Sequence, residues 1–155
     1  MSQLSRIVSG GQTGVDRAAF DAAIALGLSY GGFVPRGRRD ENGEIPRRYT
    51  NLVETTSKDV DVRTRMNVEA ADATLVLSDS ASISPGTEYT LACAHSTGKP
   101  VLVVDLSNAP DAAGQIRSWV AKLRPATLNV AGPRNSEAPG LKERAQAVLE
   151  VALKP

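Results

Sequence analysis

Residues 9 to 14 read Ser9-Gly10-Gly11-Gln12-Thr13-Gly14, a glycine spacing suited to holding an anion. Glycines let the backbone approach a phosphate closely, and a helix opening behind them offers unpaired amides. Gly11 and Gly14 match the second and third glycines of a dinucleotide-binding fingerprint, with Ser9 in place of the first. Gly10 adds to the openness of the turn, and Gln12 and Thr13 add side-chain donors. No lysine follows Gly14, which excludes an ATPase-type P-loop. A tight strand-to-helix turn with no ligand would use the same residues, so the turn alone leaves both readings open.

Three further segments carry candidate binding groups. After Val34 the chain continues Pro35-Arg36-Gly37-Arg38-Arg39, where an NAD domain would place an acidic residue for the ribose. Three guanidiniums favour a second phosphate or oxyanion, with Arg36 nearest the strand end. Asp40, Glu41 and Glu44 follow, so a solvated basic loop is the alternative. The stretch Ser78 to Thr87 repeats the logic of the first turn through Ser82, Ser84, Pro85, Gly86 and Thr87, just before a helix. A plain cap at Ser84 is the other reading. Arg63 and Asn67 stand four apart, on one helical face, as binding residues or as part of an exposed charged face. Asp16 is a candidate base at the mouth of the pocket, and Arg134 projects from a Gly132-Pro133 turn.

Cys93 and His95 suggest no chemistry. Both fall mid-helix without a partner at metal-ligand spacing, one histidine cannot build a protein-ligated metal site, and a lone cysteine usually packs as a small hydrophobe. No Ser-His-Asp or Cys-His arrangement is evident, so no catalytic residue and no metal site are assigned.

The elements that must position these loops alternate. Arg6–Ser9 reads as a first strand, Val15–Leu26 as a helix stopped by Gly27, and Tyr30–Val34 as a strand stopped by Pro35. Leu52–Thr55 is a weak strand and Asp59–Ala70 a helix. Ala73–Leu77 is apolar throughout, as a strand covered on both faces should be, and Pro100–Leu106 reads the same way. Helices over Thr87–Ser96, around Ile116 to Leu123 and over Leu141–Leu153, with a short strand at Thr127–Val130, complete the series. Strand-helix alternation predicts an α/β fold: a Rossmann-like, doubly wound, mainly parallel sheet of five to six strands with helices on both faces. Ligands of such sheets lie beyond the carboxyl ends of the strands. A strand order of 3-2-1-4-5 would set the Gly-rich turn and the Ser84 to Thr87 loop facing each other across the switch point.

Composition bounds the partners. The 155 residues fit a single domain spanning 1–155, with 41% hydrophobic residues. Eighteen basic residues against 17 acidic ones leave a net charge of +1, too even to draw in nucleic acid through a global field. A single cysteine precludes an internal disulfide, no apolar run approaches the roughly 18 residues of a membrane span, and Met1 to Arg6 carries no leader pattern. A cytoplasmic protein is therefore expected, with a small phosphate-bearing molecule as partner and neither nucleic acid nor membrane. Domains of this kind often pair through helices, so a homo-oligomer is expected, with Trp119 either on that surface or in the core.

Taken together, the motifs resemble a known family. Gly10-Gly11-Gln12-Thr13-Gly14-Val15-Asp16-Arg17-Ala18-Ala19 is similar to the opening of the molybdenum carrier (molybdenum cofactor carrier protein) family. The likeness continues through Gly37-Arg38-Arg39, Ile45-Pro46, Tyr49, Glu54-Thr55, Arg63-Thr64, Asn67-Val68 and Asp72 to Leu75, and ends on Leu128 to Arg134. The resemblance implies a small Rossmann-like carrier of molybdenum cofactor, a pterin phosphate bearing molybdenum, which it would hand to molybdoenzymes. The wider superfamily includes phosphoribohydrolases that release cytokinin from its nucleotide, with a Pro-Gly-Gly-x-Gly-Thr-x-x-Glu pattern. Laid on Gly86-Thr87, that pattern puts Thr90 where its glutamate stands, and Glu88 lies two residues early on another helical face. The resemblance thus favours a binding protein, with a nucleotide-binding or nucleoside-monophosphate-hydrolysing protein as the alternative.

Overall fold

The computed structural model describes residues 4–80 and 83–155. Ser82, and Met1 to Gln3 of the N-terminal segment, lie outside the described residues. In chain order the elements are β1 (Arg6–Val8), α1 (Val15–Leu26), β2 (Ser29–Val34), β3 (Arg39–Asp40), β4 (Gly43–Glu44), β5 (Leu52–Glu54), α2 (Val60–Ala70), β6 (Ala73–Ser78), α3 (Pro85–Thr97), β7 (Val101–Asp105), α4 (Ala112–Leu123), β8 (Thr127–Ala131) and α5 (Leu141–Ala152).

The helix ends follow from local chemistry. Gly27 and Gly98 take the left-handed conformation that closes α1 and α3. The Asp59 side chain caps α2 by accepting from the Asp61 N–H, and the Ser84 side chain caps α3 by accepting from the Thr87 N–H, with Pro85 in the first helical position. α1 buries Val15, Ala18, Ala19, Ala22 and Ala23 against the sheet and α5, so small residues allow close helix packing there.

Six parallel strands form one sheet in the order β5-β2-β1-β8-β6-β7. α1, α4 and α5 share the main core on one face, while Val68 of α2 and Cys93 and Ala94 of α3 form a smaller cluster on the other. The fold is thus the expected Rossmann-like doubly wound sandwich, and Cys93 is the buried hydrophobe its sequence suggests. Trp119 is half-buried and packs against the main core.

The strand order differs from 3-2-1-4-5. β8, the last strand in the chain, is inserted between β1 and β6 and pairs in parallel with both, through Arg6↔Thr127 and Ala73↔Leu128. Read cyclically from β8, the sheet winds through β1, β2 and β5 one way and through β6 and β7 the other. Leu128, Asn129 and Val130 are buried accordingly. β7 is not covered on both faces as its apolar run suggests; it is the sheet edge, and Val103 is 40% exposed. The β3–β4 hairpin, two residues per strand, is too short to leave a periodic signal.

Candidate functional site

The loops after β1, β6 and β8 meet with the first turns of α2 and α3 around a cleft of about 510 Å³ at the carboxyl ends of the strands. Gln12 and Asp16 line one side, Arg63 and Thr64 a second, Ser84, Gly86 and Thr87 a third, and Ala131 and Gly132 lie between. The Gly-rich turn and the Ser84 loop therefore face one cleft, as expected, although the β8 loop separates them.

The Gly-rich turn itself is spent largely on packing. The Gln12 N–H donates to Asp16 Oδ2 at 3.2 Å, and Gln12 Oε1 accepts from the Thr13 N–H at 3.0 Å and the Glu41 N–H at 2.9 Å. Thr13 Oγ1 donates to Glu41 Oε2 and accepts from the Asn135 N–H at 3.0 Å. The side chains of Gln12 and Thr13, and both their amides, thus already have protein partners. The glycines answer to space. Gly10 lies directly under the Arg63 guanidinium, a Cβ on Gly11 would press Ile45 and Val34, and one on Gly14 would overlap Pro133 O. Of the amides of Gly11 to Gly14, those of Gln12 and Thr13 are therefore taken up within the protein.

In the basic loop the three arginines lie in different settings. Arg38, at φ 53°, donates through Nη2 to the carbonyls of Ile45, Pro46 and Tyr49, so it organises the 45–49 segment. Arg36 and Arg39 are exposed and do not line the cleft. Arg36 is held by its backbone N–H on Ser57 O, while Arg39 lies in the β3–β4 hairpin. Asn67 is buried, not exposed: its Nδ2 donates to Phe33 O at 2.9 Å and its Oδ1 accepts from the Phe33 N–H at 2.8 Å. That side chain completes the backbone bonding of β2.

Arg63 is different. Nη1 donates to Thr64 Oγ1 at 3.0 Å, while the buried Nε has no hydrogen-bond partner in the protein. The Nε atoms of Arg17 and Arg38 are likewise unpartnered, but those guanidiniums hold Asp40, Gly11 O and the 45–49 carbonyls through their Nη atoms. Arg63 lines the cleft, and its charge has no carboxylate within ion-pair distance among the described residues. Arg134, by contrast, is paired to Glu41 at 3.7 Å and Glu137 at 3.6 Å. Hydrogen bonds from the Ser136 and Thr13 hydroxyls hold the Glu41 carboxyl below its usual range, and so tie the hairpin to the loops after β1 and β8.

Asp16 is only 4% exposed yet lines the cleft. Burial pushes its carboxyl up, against the opposing pull of Arg63, the Gln12 N–H, Ser9 and Arg17. A carboxyl whose folded pKa is raised binds its proton more readily folded than unfolded, so it adds stability as pH falls through that value. Asp16→Asn, which keeps the acceptor for Gln12, should therefore melt higher than the parent near neutral pH. The gap should narrow as the pH is lowered through the Asp16 pKa. Melting curves of both proteins across pH check this, and a gap that widens on acidification counts against it.

Several cleft residues, among them Asp61, Tyr89, Glu137 and Val60, were not legible as ligand contacts. Tyr89 contributes an aromatic wall one turn into α3, and Val60 an exposed apolar rim at the start of α2. Their positions along the helices carry no motif; only the facing of α2 and α3 reveals them. Thr90, at the position of the hydrolase glutamate, is buried and donates to Gly86 O at 3.2 Å. At the α3 N-terminus, Gly86 faces open space where a Cβ would stand. In that first turn Pro85 has no N–H and the Thr87 N–H is capped by Ser84, which leaves the Gly86 N–H, together with the helix dipole, to favour an anion there. Among the described residues no helix is long and apolar enough to cross a membrane, and no group of three or more His, Cys, Asp or Glu is arranged to hold a metal ion.

Comparison with known proteins bears on the whole chain. A family model described as the circularly permutated YpsA SLOG family matches residues 7–153. Among solved structures, one described as a putative molybdenum carrier protein from Syntrophus aciditrophicus SB is similar at a TM-score of 0.93. The two chains are 40% identical over 98% of this chain and 96% of that one. No curated protein sequence matches.

Proposed function

The chain belongs to the circularly permutated YpsA SLOG family, and from that premise we propose that it is a carrier that binds molybdenum cofactor without changing it chemically. The observation that carries this reading is the Arg63 guanidinium, which enters a 510 Å³ cleft without an ion-pair partner, beside the open N-terminus of α3. An anionic, partly planar ligand suits that combination. Its phosphate lies on the first turn of α3, at Ser84, Gly86 and Thr87, and Arg63 supplies the charge-assisted hydrogen bonds. Tyr89, in the cleft wall, supplies an aromatic side chain for contact with the flat ring system.

The similarity to a protein named as a molybdenum carrier supports the cargo, and Thr90 in place of a carboxylate supports binding over hydrolysis. The protein works in the cytoplasm, as a homo-oligomer, and delivers its cargo to molybdoenzymes. The test is direct. The protein is purified from a host that makes the cofactor, oxidised, and assayed for released pterin fluorescence, which is expected in stoichiometric amount. Bound nucleotide in its place, or turnover of a nucleoside monophosphate, would sink the carrier reading.

A further inference from the structure

The cleft's two ends have opposite chemistry. At one end the first turn of α3 favours an anion; at the other lies the Asp16 carboxylate, which repels one. A ligand that fills both ends must present hydrogen-bond donors, and no charge, to Asp16. The Gln12 N–H on Oδ2 fixes the carboxylate's rotamer and the Ser9 hydroxyl lies beside it; the lone pairs that remain can accept from a ligand. Next to it stands Arg63, which lines the cleft and whose guanidinium makes one hydrogen bond in the protein, from Nη1 to Thr64 Oγ1, so that its outer N–H groups can meet a ligand acceptor. Tyr89 of α3 lines the same cleft. Two adjacent acceptors beside a donor, with an aromatic ring in the wall, describe the complement of one class of flat heterocycle.

We propose that Asp16 is a specificity-determining residue that reads the amino and ring N–H edge of a 2-amino-4-oxopyrimidine, the group shared by pterins and guanine. The proposal rests on the carrier reading for the position of the ligand, but its chemistry is independent of molybdenum. The exocyclic amino group and the adjacent ring N–H of such a ring point the same way and meet both carboxylate oxygens, as a guanidinium does. The ring's carbonyl then lies on the side where Arg63 can donate. Adenine fails here, because its edge sets an acceptor nitrogen beside the amino group and brings a lone pair against the carboxylate. A pteridine carrying oxygen in place of the amino group fails for the same reason.

Titration of the purified protein with hydroxymethylpterin phosphate, its lumazine analogue in which the amino group is replaced by oxygen, GMP and AMP tests this. The pterin phosphate and GMP should bind at least about tenfold tighter than the lumazine analogue and AMP. Asp16→Asn should erase that preference while circular dichroism stays unchanged, since the amide turns a donor toward the ligand's donors. Should that variant misfold, the lumazine comparison on the parent protein decides alone. Equal binding of pterin and lumazine phosphates overturns the proposal yet leaves the carrier reading intact. Preference for GMP over AMP with no binding of the pterin phosphate does the reverse: the edge recognition stands and the carrier reading falls. Failure of all four probes to bind overturns the proposal.

Discussion

Gly14→Ala should lower the melting temperature by about 6–12 °C, the shift expected for a loss of roughly 3 kcal/mol in a chain of this size. Gly14 precedes α1 with φ 79° and ψ −130°, a backbone conformation that side-chain-bearing residues avoid. A methyl group there would overlap Pro133 O and crowd the Arg134 backbone. Those atoms cannot yield cheaply, because Pro133 O accepts the Val15 N–H at 3.3 Å and so links the β8 loop to the start of α1. Gly27→Ala is the matched control: φ is 72° there, but nothing lies within 4 Å of the added carbon, so only the conformational cost remains, about 1 kcal/mol. Thermal melts of the two variants separate the causes. If Gly14→Ala melts within a degree or two of Gly27→Ala, the close packing of the β1 and β8 loops is not what makes glycine necessary.

Arg63→Gln should weaken binding of hydroxymethylpterin phosphate by about 10- to 100-fold, the worth of one to two hydrogen bonds from a charged donor. The unliganded protein should melt close to the parent, because relief of the unsatisfied Nε is offset by loss of the attraction that Arg63 exerts on the buried Asp16 carboxyl. Arg63 has no carboxylate partner within ion-pair distance among the described residues, and its buried Nε is unsatisfied, so the empty site carries a cost that the substitution removes. Arg17→Ala should behave oppositely. Arg17 reaches Asp40 at 2.6 Å and Gly11 O at 3.1 Å, in a pair whose side chains are only 12% and 4% exposed. Its removal strands a buried carboxylate and lowers stability. Calorimetric titration and melting curves on both variants make the comparison. Arg63→Gln with full affinity would place the anion elsewhere; Arg63→Gln melting well below the parent would make Arg63 a structural residue.

Arg63→Gln and Asp16→Asn follow one pattern. The residues that line the cleft with unspent polarity, Asp16 and Arg63, are those whose burial destabilises the empty protein. The arginines of the 36–39 loop, which look more numerous and more available in sequence, include Arg38, which is spent on three carbonyls.

Local residue chemistry was enough to determine the elements and the cleft's general address. Gly27 and Gly98 end helices, Asp59 and Ser84 begin them, and apolar runs such as Ala73–Ser78 are strands, because caps, turns and periodicity act over a few residues. Alternation of those elements leads to a doubly wound sheet with its site beyond the strand ends. What the tertiary structure alone decided was the neighbour of each loop. Nothing in Thr127 to Ala131 says that this strand inserts between β1 and β6, since its pairing partners lie more than fifty residues away along the chain. That insertion presses Pro133 against Gly14, which gives the Gly-rich segment a packing role that its sequence does not announce. The pairing of α2 and α3 over the same cleft then sets Arg63, Asp16 and Tyr89 along one surface. A glycine required by a ligand and a glycine required by a neighbouring carbonyl are identical in sequence, and only the approach of the second segment tells them apart.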